Sequence, residues 1–301
     1  MRNTPIIGWF DKSTVRHLRL PFSLFLLPVF LFALSQAPAV DWRSAILAFI
    51  ILHLLIFPSS NGYNSYQDRD KTSIGGLRHP PAVSQKLYYA TLLFDAAGIS
   101  LGFLISPWFA LFVLVFVIMS RLYSFRGVRL KKYPVAGFLT VFIFQGAFVY
   151  LMTSYAISPF SAGKFFTGPN TMRMAVASLF IGSMYPLTQI YQHKADSEDG
   201  VMSISCLLGY KGTFIFSAIL FTTALLLYSI LLINQDQLLI LLMFLVFTFP
   251  VIIYLSKWFG MVRKSFLNAD FDRTMKANLI ASTCMNLFFL LLILNNHIFL
   301  L

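Results

Sequence analysis

Nine continuous apolar runs, each close to 20 residues long, dominate this chain: 20–37, 44–60, 87–105, 107–124, 134–153, 172–190, 212–233, 237–256 and 277–296. A helix rising about 1.5 Å per residue needs about 20 such residues to cross roughly 30 Å of hydrocarbon. It must also satisfy its own backbone there, because no water is at hand. A membrane β-barrel would show segments of about ten residues with alternating polarity. These runs are unbroken and rich in Leu, Phe and Ile, so the fold class is all-α, a polytopic membrane helical bundle of about nine transmembrane helices. Only 11% of the 301 residues are charged and 58% are hydrophobic. Soluble domains carry about 25% charged residues, which excludes an ordinary cytosolic enzyme. No low-complexity linker divides the chain, so residues 1–301 read as a single integral-membrane domain. Ser106-Pro107 alone separates the third and fourth runs, which predicts a tight hairpin. Cys206 and Cys284 lie in apolar surroundings without metal-like spacing.

The basic residues orient the bundle. With the N-terminus inside, the cytoplasmic segments are 1–19, 61–86, 121–133, 191–211 and 257–276, and they hold 20 of the 23 Lys and Arg. Arg43, Lys164 and Arg173 alone fall on the other side. That asymmetry follows the positive-inside rule. The net charge of +12 is thereby accounted for by anionic headgroups, with Arg2, Lys12, Arg263 and Lys264 as examples, and no nucleic-acid partner is implied. Residues 1–19 read as a cytoplasmic interfacial segment, with Trp9 and Phe10 beside Lys12 and Arg16 as an aromatic and basic anchor. The first run follows Arg16, His17 and Arg19 and reads as a retained span, despite the small residues around Ala37 and Ala39.

Acids are scarce, 11 in all, and five of them cluster at two helix exits on the face assigned to the cytoplasm. The first exit reads Asn61-Gly-Tyr-Asn64-Ser-Tyr-Gln-Asp68-Arg-Asp70-Lys71, and the second Gln189-Ile-Tyr-Gln192-His-Lys-Ala-Asp196-Ser-Glu-Asp199-Gly200. In each, an amide precedes an aspartate by four positions, Asn64 before Asp68 and Gln192 before Asp196. Continuous helices would project each pair from one face, one turn apart. Mg²⁺ takes one or two carboxylates together with phosphates and water, and both pairs offer oxygen ligands of that kind. The competing reading is a solvated acidic loop balanced by Lys71 and Lys194. Between the fourth and fifth runs lies Arg121-Leu-Tyr123-Ser124-Phe-Arg126-Gly-Val-Arg129-Leu-Lys131-Lys132. Its cations and tyrosine hydroxyl suit phosphate oxygens, although positive-inside composition also predicts a basic loop here.

These segments resemble the motifs of UbiA-type intramembrane prenyltransferases. Asn64-Ser-Tyr-Gln-Asp68-Arg-Asp70 is similar to their first aspartate-rich motif, N-D-x-x-D-x-x-x-D. Gln192 to Gly209, with Gly200 and Leu208-Gly209, is similar to the second, and Tyr123-Ser124 through Arg129-Leu-Lys131 resembles their tyrosine-to-basic loop. Gln145-Gly146 adds to the likeness, which covers about residues 16–290. It implies a UbiA-like fold and a Mg²⁺-dependent transfer of an isoprenyl group from an isoprenyl diphosphate to a hydrophobic, commonly aromatic, acceptor within the lipid bilayer. By position it implies Asn64, Asp68 and Asp196 as catalytic, and Asn64, Asp68, Gln192 and Asp196 as metal ligands. Asp70 and Asp199 are further candidates for the metal. Tyr123, Arg129, Lys131 and Arg19 would contact the diphosphate. The chain departs from the pattern at Ser65, Thr72 and Gln192, where the family often has aspartate, and in its longer Tyr123-to-basic spacing.

Asp95 sits within the third run. Its insertion there costs about 2.5–3.5 kcal/mol, so it should face the bundle interior and have a partner. It either serves acceptor binding or proton transfer, or forms an interhelical hydrogen bond, with tyrosine a candidate partner. A cyclase or lyase of the same family would act without a separate acceptor. A transporter would place more ionisable residues at the midplane, whereas here the acids crowd one face.

Overall fold

The structure, a computed structural model, describes residues 11–158 and 166–299. Arg2, Trp9, Phe10 and Lys164 lie outside the described residues. The helices are α1 (Lys12–Leu18), α2 (Leu27–Ser35), α3 (Trp42–Asp68), α4 (Gln85–Gly102), α5 (Pro107–Ser124), α6 (Pro134–Ile157), α7 (Gly168–Gln189), α8 (His193–Glu198), α9 (Ile204–Ile233), α10 (Leu238–Lys264) and α11 (Phe271–Leu294). Among the described residues the sole β feature is an isolated bridge between Ile74 and Leu77.

Among the described residues six helices, α3, α5, α6, α9, α10 and α11, are long and apolar enough to cross a membrane. A seventh span results if the broken stretch Lys12–Phe25 with Leu27–Ser35 counts as one. The expected count of nine is not reached by this measure. At the two other places, α4 and α7 are helices of 18 and 22 residues whose polar side chains lower their hydropathy. Thr91 and Asp95 of α4, and Ser178 and Ser183 of α7, are buried against protein, as polar groups at membrane depth must be.

Contacts divide the chain into two compact units, Met1–Leu24 with Ile46–Leu130, and Phe25–Ala45 with Lys131–Leu301. In the first, α3 widens into a π-helical stretch at Ile50–Ile56, where the Phe57 N–H reaches back to Leu52 O. Pro58 has no N–H to donate one turn back, and the widened turn accommodates that loss. Small residues follow and admit close neighbours. A Cβ on Gly62 would sit 2.9 Å from Thr91 Cγ2, and Ser59 Oγ donates to Thr91 O at 2.9 Å. The predicted hairpin between α4 and α5 forms: Ser106 Oγ accepts from Phe109 N at 3.0 Å. The segment 69–84 is anchored to α1, with His17 Nε2 2.8 Å from Pro81 O and Ser13 Oγ donating to Ala82 O at 2.7 Å.

The second unit is built on aromatic packing. Phe32 of α2 lies 5.1 Å from Tyr150, 5.4 Å from Tyr228 and 5.0 Å from Phe289 between ring centroids. Helices α6 and α7 touch at Gly146, where a Cβ would come within 2.3 Å of Ser178 Cα. Ser178 Oγ there accepts from Ala147 N at 2.9 Å. Helix α9 is broken at Gly209, with φ 66° and ψ 177°, a conformation essentially confined to glycine.

Candidate active site

In the first unit, Ser60, Asn64 and Asp68 recur every fourth residue of α3 and so form one stripe at its end. Each has a polar partner. Ser60 Oγ lies 2.6 Å from Ser120 Oγ, Ser124 Oγ donates to Asn64 Oδ1 at 2.8 Å, and Arg129 Nη2 donates to Asp68 Oδ1 at 3.2 Å. Asn64 and Asp68 therefore project one turn apart from a continuous helix, as the spacing predicts. The Asp68 and Arg129 side chains are only 6% and 8% exposed, which makes this a buried ion pair.

The loop after α5 clasps the end of α3. Arg126 Nε donates to Gln67 O at 2.7 Å and its Nη2 to Asp68 O at 3.3 Å, satisfying carbonyls that a helix end leaves without partners. Arg69 terminates α3 at φ 54°, and Arg129 sits at φ 51° with its N–H on Phe125 O at 2.7 Å. A left-handed non-glycine residue costs about 1–2 kcal/mol and persists where its surroundings fix it; for Arg129 the ion pair with Asp68 is part of that fixing. Tyr123 and Ser124 lie on the last turn of α5 rather than in a loop, and Tyr123 is half-buried. Arg19, at φ 48° after α1, donates to Gly75 O at 2.9 Å and to Asn61 O at 3.0 Å, so these donors tie backbone segments together. Asp70 is half-buried just beyond α3. The partner of Asp95 is Arg121, not a tyrosine.

The second unit departs from the expected helix. Helix α7, with Pro186 inside it, ends at Gln189; a single 3-10 turn covers Ile190–Gln192 before α8 begins at His193. Gln192 thus closes the 3-10 turn and is the N-cap of α8, whose first turn carries Asp196, so the pair does not lie on one long α-helix. Both are half-buried, while Asp199 is exposed. Val201 N donates to Asp196 O at 2.8 Å, across Gly200 at φ 67°. Lys131 lies in the 3-10 turn Leu130–Lys132, and Met202 N donates to Lys132 O at 3.2 Å. This bond brings the basic turn beside the second acidic segment. His193 Nε2 is 2.7 Å from Ser205 Oγ, which is 3.0 Å from Thr213 Oγ1; Thr213 donates to Gly209 O at 2.7 Å. Burial pushes the His193 pKa down.

Among the described residues no group of three or more His, Cys, Asp or Glu is gathered to hold a metal. What each unit offers instead is an amide and an aspartate four positions on, Asn64 with Asp68 and Gln192 with Asp196, an oxygen-only set. That set fits Mg²⁺, which leaves several positions to water and phosphate, and does not fit zinc. Sequence reasoning passed over Arg121, Ser124, Arg126 and His193 as contributors. Ser124 and Arg126 stood in the quoted basic segment, but nothing in it distinguishes a residue that orients Asn64 from a solvated one.

The sequence profile described as the UbiA prenyltransferase family matches residues 24–294. The chain belongs to that family. It is an integral membrane protein and, as a family member, an enzyme of the prenyltransferase class. Its fold is UbiA-like: a UbiA homolog from Aeropyrum pernix K1, solved in its apo form, superposes with a TM-score of 0.70 at 19% identity, covering 91% of this chain and 98% of that one. A UbiA homolog from Archaeoglobus fulgidus bound to GPP and Mg²⁺ gives 0.66 at 18% identity, covering 94% and 99%. A structure concerned with digeranylgeranylglyceryl phosphate synthase gives 0.59 at 15%, covering 95% and 98%. No curated protein matches this sequence.

Proposed function

We propose that this UbiA-family member moves an isoprenyl group from an isoprenyl diphosphate to an apolar, commonly aromatic, acceptor, with Mg²⁺ as cofactor. The observation that carries the reading is the end of α3: Asn64 and Asp68 lie one turn apart, and the Asp68 carboxylate is met by Arg129 at 3.2 Å. A carboxylate for a cation beside a guanidinium for phosphate is the charge arrangement that a metal–diphosphate substrate requires. The A. fulgidus homolog bound to GPP and Mg²⁺ supports this choice of ligands.

Asn64 and Asp68 of the first unit and Gln192 and Asp196 of the second would each offer oxygen ligands to Mg²⁺, with Asp70 and Asp199 as further carboxylates. When bound, Mg²⁺ supplies charge neutralisation to the departing diphosphate. Arg129, Lys131 and Tyr123 hold diphosphate oxygens and stabilise negative charge as it develops on the leaving group. The carbon–oxygen bond of the donor breaks, a carbon bond to the acceptor forms, and the acceptor ring loses a proton. The apolar helices exclude water from the allylic cation. The positive-inside asymmetry supports placing the N-terminus and this chemistry on the cytoplasmic face. Incubating membranes with labelled isoprenyl diphosphates and a panel of aromatic and lipid acceptors, with and without a chelator, tests the reading. The expected result is a prenylated acceptor that disappears on chelation. A product formed without any acceptor, or full turnover in chelator, would refute it.

A further inference from the structure

The first unit contains an intramembrane ion pair that the proposed chemistry does not use. Asp95 is 8% exposed, and its Oδ2 takes both Nε and Nη2 of Arg121, the former at 3.0 Å. Arg121 does more than neutralise it. Its Nη1 donates to Thr91 Oγ1 at 3.3 Å and its Nη2 to Ser59 Oγ at 3.2 Å. Its guanidinium carbon stands 3.8 Å from the centroid of the Tyr63 ring. One side chain of α5 therefore grips α4 through Asp95 and Thr91, and α3 through Ser59 and Tyr63.

Ion pairs buried among apolar helices are weak evidence for stability, because apolar residues of similar volume often serve as well. The fixed fork of arginine supplies orientation instead. Tyr63 is the residue before Asn64, and Ser59 lies one turn before Tyr63. Ser120 and Ser124 bracket Arg121 on α5 and pair with Ser60 and Asn64 of the stripe. The clamp thus grips α3 on a face adjoining the one that carries Asn64 and Asp68, and so resists rotation of that helix end.

We propose that Arg121, held by Asp95, is a positioning residue: its grip on Ser59 and Tyr63 fixes the rotation of α3 that presents Asn64 and Asp68 to the metal–diphosphate. This rests on the reading in which those two residues serve that ligand. Asp95 then acts through Arg121 and neither binds acceptor nor relays a proton.

The test uses the full chain in nanodiscs, with Mn²⁺ as the probe, read by electron paramagnetic resonance in the presence of inorganic diphosphate, alongside unfolding temperature. Asp95→Leu combined with Arg121→Leu removes both charges together and should stay folded, yet weaken Mn²⁺–diphosphate binding about tenfold. Asn64→Ala should weaken it similarly, and the triple variant should weaken it little further, since coupled residues are not additive. Arg121→Lys keeps the charge opposite Asp95 but cannot span to Ser59 and Tyr63. It should bind several-fold more weakly, which keeps the idea falsifiable if the double variant misfolds. The charge reversal Asp95→Arg with Arg121→Asp restores an ion pair without the grip on α3 and should not recover binding. Wild-type binding in the folded double variant, in Arg121→Lys or in the reversal overturns the inference. If Asn64→Ala also binds normally, the assignment of Asn64 fails first, and the two failures are distinguishable.

Discussion

Replacing Asp68 should damage more than turnover, because its carboxylate is one half of a buried pair. With Arg129 Nη2 at 3.2 Å from Asp68 Oδ1, the gross attraction is about 5 kcal/mol at an effective dielectric of about 20. The net contribution is smaller, since both groups were taken out of water. Asp68→Ala leaves the guanidinium of Arg129 buried at 8% side-chain exposure without that partner, a change that typically costs about 3–5 kcal/mol. At roughly 2–4 °C per kcal/mol, the unfolding temperature should fall by roughly 6–20 °C. Asp68→Asn retains an oxygen to accept from Arg129 and should lose less. Combining Asp68→Ala with Arg129→Met removes both charges and should recover most of the stability without recovering prenyl transfer. Tryptophan fluorescence melts in detergent, paired with product formation, measure both quantities. If Asp68→Ala melts no earlier than Asp68→Asn, and Arg129→Met rescues nothing, the pair does not stabilise the unit.

Gly146→Ala should destabilise the second unit by about 1–3 kcal/mol or more, because the new methyl would meet Ser178 Cα at 2.3 Å; a melt within about 1 °C of wild type would contradict this. His193, whose pKa burial holds below its ordinary value near 6.5, contributes stability that is full above that value. It is lost as the pH falls toward the depressed one, so protease cutting at 190–200 should rise below about pH 6.5 and lose that dependence in His193→Gln. Gln192→Leu should depress turnover strongly, while Gln192→Asp should preserve substantial activity and alter its Mg²⁺ dependence; a silent Gln192→Leu with a severe Asp199→Ala would transfer the ligand role to Asp199.

The apolar runs located the helices because lipid crossing demands continuous hydrophobicity, a property of consecutive residues. Their ends were less legible. Nothing in the run 44–60 showed that the helix would continue through polar Asn61 to Asp68, except the four-residue spacing of Asn64 and Asp68. That same spacing recurs at the second motif in Gln192 and Asp196, but there Pro186 lies shortly before and a 3-10 turn ending at Gln192 leads into the short α8, so the same spacing is carried by two short elements and not by one long helix.

What stayed hidden was pairing across the chain. Asp95 announced that it needed a partner, and its depth in the span made that need physical, but periodicity is local and Arg121 stands 26 positions away. The same holds for Ser124 with Asn64 and for Arg129 with Asp68, each about 60 residues apart. Each carboxylate of these ion pairs lies on one helix, and its guanidinium on α5 or in the loop that follows it. That arrangement follows from cost: a carboxylate at the edge of hydrocarbon, or within it, is tolerated only where a cation can reach it. Positive-inside bias already concentrates arginine after the fourth apolar run. The basic segment 121–132 is therefore both a topology signal and the source of partners for Asp68 and Asp95. Composition could explain its charge completely, while only the fold shows which of its arginines hold a carboxylate and which, like Arg126, cap a helix end.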